Sequence, residues 1–416
     1  MRVFKFGGAS VKDAAGVKNV VQVLNQMGHQ DTLLVISAMG KMTNAFEDVV
    51  SGYFAQPQTH LEAFHQVEDF HRNMVRDLFE GQHPEIEERV KDLLGQCRTF
   101  LENNRSPHNS FVYDQVVSFG ELLSTSIVSA YLNHSGIAAT WIDARNCIKT
   151  DNDYRSAHLD WELTQAAILA QFHGTTLKVT QGFIGSDDNN FTTTLGREGS
   201  DYSAAIFAYC LGATDVTIWK DVPGVLNADP RVFDKTQMLH HISYQEAIEL
   251  AFYGASVIHP KTLQPLQRKE IPLFVKSFLN PKEPGTQVGK GVRMRPEVPC
   301  YIVKKGLSLL RLSTRDFSFI VEDNISDIFK LLHEYKMSVD LIQNSAISFS
   351  VCVYDKYNKM ETLLGALRAR FDVQHQPDVT LFTIRHYDDK SEKELLKTHK
   401  LVLEQRTQTT LQLVMK

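Results

Sequence analysis

The alternation of apolar and polar positions changes period twice near the start of the chain. Residues 2–6 read as a short strand that Gly7 and Gly8 break. Val17, Val20, Val21, Leu24 and Met27 then recur on one face at helical spacing. The run from Thr32 to Ile36 is continuously apolar, as a strand covered on both faces would be. Strand, turn, helix and strand make a βαβ unit, which implies a parallel sheet with helices packed on it.

Residues 44–135 are almost wholly helical in pattern, with Ile86, Val90, Leu93, Leu94, Cys97 and Leu101 forming one stripe. Strands are expected again at 139–142, 176–184, 215–219 and 271–276, between helices at 161–172, 201–211 and 244–253. Four prolines (Pro281, Pro284, Pro296, Pro299) with Gly285, Gly289 and Gly291 mark 281–300 as a linker. A strand–helix–strand–strand–helix–strand series follows at 306–376, and a further strand at 379–387 opens a shorter unit. The expected fold is α/β, a mainly parallel sheet sandwiched by helices, followed by a smaller α+β domain. The expected boundaries are 1–280, 281–300, 301–378 and 379–416.

The chain has 416 residues, 43% of them hydrophobic, which is ample for a large core and more than one domain. A net charge of −5 opposes a nucleic-acid binder, which needs a basic face. Five scattered cysteines without a CxxC pair suggest neither a disulfide framework nor a zinc site. With no signal-peptide pattern and no apolar run of about 18 residues, the expected location is the cytoplasm.

Three segments carry candidate chemistry. Lys5-Phe6-Gly7-Gly8-Ala9-Ser10-Val11 lies at a strand end before a helix, where glycine N–H groups and a helix N-terminus suit a phosphate. Taken alone it is a strand-to-helix turn, and its spacing is not that of a Walker A loop. The stretch Thr192 to Ala205 contains Gly196-Arg197-Glu198-Gly199-Ser200-Asp201, a donor-rich loop running into a helix that Ser200 or Asp201 would cap. Trp219 to Arg231 leaves a strand through Pro223-Gly224 and Asp229-Pro230 turns, with Lys220, Asp221 and Arg231 placed to meet a ligand beyond the strand end.

In this order the segments resemble the aspartate kinases of the amino-acid kinase superfamily. The first is similar to their KFGG opening, the second to their GRGGSD signature, and the third to their DV-(P or D)-G loop ending in DPR. Gly182-Phe183-Ile184-Gly185 and Gly254-Ala255-Ser256-Val257-Ile258-His259-Pro260-Lys261 also fit, so the resemblance covers essentially the whole chain. It is closest to the single-function, lysine-sensitive type. It implies transfer of the ATP γ-phosphoryl group to the side-chain carboxylate of L-aspartate, the first step of lysine, threonine and methionine biosynthesis.

The resemblance also implies roles. Arg197 would clamp the α-carboxylate, Glu121 would meet the α-ammonium, and Ser37, Thr43 and Ser200 would complete the substrate pocket. Lys5, with Gly7, Gly8 and Ser10, would neutralise the transferring phosphoryl group, while Asp201 would orient Lys5 or stand near the metal shell. Lys220, Asp221, Arg231 and Lys261 would hold the nucleotide. Mg²⁺ would arrive with ATP, held by phosphate oxygens and water. Residues 306–376 resemble an ACT regulatory domain, which implies a homodimer and an amino-acid effector such as lysine.

The chain departs from the family pattern at several positions. Ala9 replaces a hydroxyl residue, Ser256 replaces a lysine, and 379–416 is short for a second ACT unit. Glu198 replaces a glycine; it could bind the substrate ammonium, pair with Arg197 or point outward, the last being the expectation. Activity is expected to survive the changes at Ala9 and Glu198, since neither removes Lys5, Arg197 or Asp201. The rival readings are another kinase of the superfamily and a silent amino-acid sensor.

Overall fold

The computed structural model describes residues 1–55, 59–255, 258–316, 318–397 and 399–416. Ser256 therefore lies outside the described residues. The chain forms two compact units: Met1–Val225, Met238–Ile248 and Val257–Pro296 in one, and Leu226–Gln237, Glu249–Ser256 and Glu297–Lys416 in the other.

The first unit is built on an eight-stranded sheet. Its centre is β1 (Arg2–Phe6), flanked in parallel by β2 (Thr32–Ile36) and by a strand over Asp215–Lys220. Beyond β2 come the strands Leu177–Gln181 and then Ala139–Ile142, also parallel. On the other side Leu273–Ser277 is parallel, while Thr286–Gly289 runs antiparallel to it. That last strand falls inside the stretch expected to be a linker. The turn at Gly285, φ +69°, sends the chain back into the sheet between Leu273–Ser277 and the edge strand His241–Ser243, despite the prolines around it.

Helix α1 (Ala14–Met27) buries Val17, Val20, Val23 and Leu24, so Val23 takes the place expected for Val21, which is only partly covered. Asp13 caps it, accepting from the Gly16 N–H at 2.8 Å. The long helical stretch resolves into α2 (Met42–Ala55), α3 (Thr59–Phe79), α4 (Pro84–Asn103), α5 (Asn109–Val117) and α6 (Phe119–His134). The stripe from Ile86 to Leu101 is buried as expected, because its spacing puts every member on one side of α4. Helices α7 (Trp161–Gln171) and α8 (Gly199–Leu211) follow. Among the described residues no helix is long and apolar enough to cross a membrane.

The second unit is a six-stranded antiparallel sheet with helices at Glu322–Glu334, Met360–Arg368 and Asp389–Leu396. Two strands expected on either side of residue 378 are one strand, Asp372–Arg385, paired with the equally long Cys300–Ser313. The pairing slips between Lys304 and Leu309, where Gly306 has φ +70° and Asp378 φ +52°. Pro377 lies at that slip, so its missing N–H interrupts no regular ladder. This is an ACT-like α+β architecture, as expected.

Candidate active site

The site is assembled where β1 ends. Lys5 is the next-to-last residue of the central strand, in register with Val35 on one side and Ile218 on the other. Its side chain is nearly buried, and its Nζ lies 2.6 Å from Asp201 Oδ1. Lys220, at the end of the adjacent strand, brings its own Nζ to 3.8 Å from Asp201 Oδ2. Burial alone would push the Asp201 carboxyl up. Lys5 and Lys220, with a hydrogen bond from Glu198, outweigh it and hold the group below the usual carboxylate range.

Asp201 does not cap α8, and neither does Ser200. The N-cap is Glu198, in the left-handed region at φ +57°, without a side-chain capping bond. Asp201 instead sits inside the first turn and is freed to meet the two lysines. Glu198 does not point outward as expected: it lines the same cavity. Burial, then the charge of Asp201, raise its carboxyl above the ordinary value, while Lys220, Lys5 and Arg197 oppose this.

The cavity has a volume of about 410 Å³ and brings together Lys5, Ser37, Thr43, Glu121, Arg197, Ser200 and Asp201, all anticipated from sequence. Ser37 follows β2, and its N–H is held by the Phe6 carbonyl at 3.1 Å. Thr43 lies in the first turn of α2 and Glu121 in the first turn of α6. Glu121 is 2% exposed. Its Oε1 accepts from the Ala38 N–H at 3.2 Å, and its Oε2 is buried without a hydrogen-bond partner. Burial pushes this carboxyl up to about 8, against the smaller pull of the Ala38 N–H. Glu121 lines the cavity, and a buried carboxylate oxygen with nothing to pair with is a place for a cationic group of a ligand.

Gly7 and Gly8 have different duties. A Cβ on Gly8 would stand 2.6 Å from the Gly40 carbonyl oxygen and 2.9 Å from that of Ala38, so this glycine lets the 38–40 loop close on the turn. The Gly40 N–H in fact donates to the Gly8 carbonyl at 3.0 Å. A Cβ on Gly7 would meet only the Lys5 ammonium, at 3.2 Å. Ser10 is buried, with its hydroxyl unpaired.

Gly7, Gly8, Ser10, Lys220, Asp221 and Lys261 are not among the described residues lining the cavity, although Lys220 reaches it through Asp201. Lys261 lies on the turn that opens the helix Pro260–Lys269, beside His259. Burial lowers His259, and Lys261 and Arg197 lower it further, against Asp201. This places the turn within electrostatic reach of the site. Arg231 belongs to the second unit and is engaged by Asp229 at 2.7 Å.

Sequence reasoning missed Tyr113, Arg155 and Phe183, which also line the cavity. Phe183 was within reach, since it lies in the quoted Gly182-Phe183-Ile184-Gly185 segment. Nothing in the chain around Tyr113 or Arg155 signalled them.

Two lysines on neighbouring strands of an α/β sheet thus share one buried aspartate at the strand ends, beside a glycine turn, an arrangement whose net positive charge suits an anionic ligand. The amino acid kinase family matches residues 1–277, and the chain belongs to that family. It is 32% identical to lysine-sensitive aspartokinase 3 of Escherichia coli (strain K12) over 354 residues, 84% of this chain and 77% of that one. It is 29% identical to bifunctional aspartokinase/homoserine dehydrogenase 2, chloroplastic, of Arabidopsis thaliana, covering 89% of this chain but 42% of that protein. The crystal structure of E. coli aspartokinase III in complex with aspartate and ADP superposes with a TM-score of 0.81 at 28% identity, covering 100% of this chain and 96% of that one. Within the family, the aspartokinases are the branch in which the chain falls.

Proposed function

We propose that this protein transfers the γ-phosphoryl group of ATP to the β-carboxylate of L-aspartate, forming 4-phospho-L-aspartate and ADP. The observation that carries this reading is one cavity with an unpaired buried carboxylate oxygen on Glu121 and a lysine–aspartate–lysine cluster on its wall. An amino acid has the matching ammonium, and its side-chain carboxylate is already ionised at neutral pH, so no general base is needed. The barrier lies in bringing two anions together, which positioning and fixed positive charge reduce.

Asp201 holds the Lys5 ammonium in place, and Lys5 then neutralises the phosphoryl oxygens in transfer. Arg197, Ser37, Thr43 and Ser200 orient the acceptor, and Glu121 takes its ammonium. Lys220, Asp221 and Lys261, with the Gly7–Gly8 turn and Ser10, serve the nucleotide, while Arg231, held by Asp229 in the second unit, is left out of this reading. The described residues contain no cluster of three metal-ligating side chains, and Asp201 and Glu198 are the carboxylates beside the lysines. That donor set suits Mg²⁺ carried by the nucleotide, where it supplies charge neutralisation on the phosphates.

ADP release from Mg-ATP, compared among L-aspartate, L-glutamate and N-acetylglutamate, tests the reading. Aspartate-dependent turnover that Lys5→Ala abolishes is expected, and turnover only with another acid overturns it. We extend the reading to a cytoplasmic homodimer whose ACT-like unit answers to lysine, supported by the five buried free thiols and the lysine-sensitive relative. Titration of lysine into active enzyme, with the mass of the assembly measured in solution, checks that extension.

A further inference from the structure

We propose that Arg155 is a second guanidinium for the α-carboxylate of the acceptor amino acid, set beside Arg197, and that buried Asp114 positions both. The inference rests on the aspartate reading above and deepens it.

Arg155 lies on the turn that precedes α7 and lines the cavity with Arg197. Its guanidinium carbon is 4.1 Å from the centroid of the Tyr113 ring, so one face is covered and the N–H edges stay available. Tyr113 is itself anchored by its hydroxyl, which donates to Glu47 at 2.7 Å. Among the described residues neither Arg155 nor Arg197 forms an ion pair with a carboxylate. The loops that carry them touch: a Cβ on Gly196, at φ +78°, would stand 3.2 Å from the Arg155 carbonyl oxygen.

Arg155 holds φ +73°, in the left-handed region that is uncommon for a residue with a side chain. Asp114 holds its peptide there. This fully buried carboxylate accepts the Arg155 N–H at 3.1 and 3.0 Å, and also the Thr194 N–H and hydroxyl, both at 2.8 Å. Thr194 is three residues before Arg197. One carboxylate thus pins the backbone at the root of both arginines.

Two positive groups on touching loops repel each other until an anion sits between them. The β-carboxylate of the acceptor belongs next to Lys5, and its ammonium next to Glu121. The α-carboxylate is the anion that remains for the two guanidinium groups.

The test is steady-state kinetics of the full chain with L-aspartate and with its α-amide, L-isoasparagine. Wild type is compared with Arg155→Gln, Arg155→Lys and Asp114→Asn, each checked for folding by circular dichroism. Arg155→Gln is expected to raise the KM for aspartate about tenfold or more, the effect of one lost charged hydrogen bond, with a much smaller change in kcat. It should also narrow the preference for aspartate over the α-amide, and Arg155→Lys should restore part of that preference. Asp114→Asn should move the same ratio, which general loss of structure would not. If Asp114→Asn does not fold, the Arg155 pair decides alone. An unchanged KM and preference in Arg155→Gln, with wild type active on aspartate, overturns this inference and leaves the aspartate reading standing. Wild type without aspartate turnover removes that reading and this inference together.

Discussion

The Lys5 ammonium is 2.6 Å from one oxygen of Asp201, and Lys220 approaches the other at 3.8 Å, so one buried carboxylate serves two cations. The carboxylate fixes Lys5 without neutralising the cluster, since the three groups keep one net positive charge for a phosphoryl group. Lys5→Met is expected to lower kcat by about 10²–10³-fold, the range for loss of one electrostatic group at the reacting centre. The KM for aspartate should change far less. Single-turnover ADP formation checks this.

Glu121 predicts a proton signature. Its carboxyl is held up to about 8 by burial, against an ordinary value of 4.5. Between those values the folded protein keeps a proton that the unfolded chain releases, so this group's contribution to stability falls as pH rises through that window. Glu121→Gln, neutral throughout, should lose that slope in melting experiments. Aspartate binding, by bringing an ammonium to Oε2, should ionise Glu121 and release a proton at pH 7. Calorimetry in buffers of differing ionisation enthalpy measures that release, which should vanish in Glu121→Gln.

Glu198 predicts a pH effect on the nucleotide side. Its carboxyl is raised by burial and by Asp201, so the neutral form persists above the ordinary carboxylate range. As pH rises and it ionises, negative charge is added beside the lysine cluster. The KM for ATP should therefore rise with pH in wild type and be flatter in Glu198→Gln. Parallel profiles in the two proteins would remove Glu198 from the site.

The adjacent glycines should fail differently. Gly8→Ala drives a methyl into two carbonyl oxygens at 2.6 and 2.9 Å and should destabilise the fold by about 1–3 kcal/mol. Gly7→Ala meets only the Lys5 ammonium, at a backbone φ of −81°, which any residue adopts. It should melt close to wild type and lose turnover. Thermal melts and initial rates on both variants separate the two effects.

Much of this protein was determined by local chemistry that can be read along the chain. β1, β2 and the stripe on α4 followed from periodicity, because each element buries its own face. Lys5, Arg197 and Asp201 stood out because their glycine-rich surroundings have no use in a plain helix or strand. The tertiary structure decided what depended on distant partners. Val23 rather than Val21 became buried because neighbouring elements choose which edge of a helical stripe is covered. Glu198 turned inward because Asp201 meets Lys5 and Lys220 there, and those two lysines come from strands distant in the sequence. Arg155 entered the cavity because Asp114, 41 positions earlier, holds its N–H. The same carboxylate holds Thr194, 80 positions later. A hydrogen bond across such a span leaves no period in the sequence, and it exists only once the sheet has brought the three segments together.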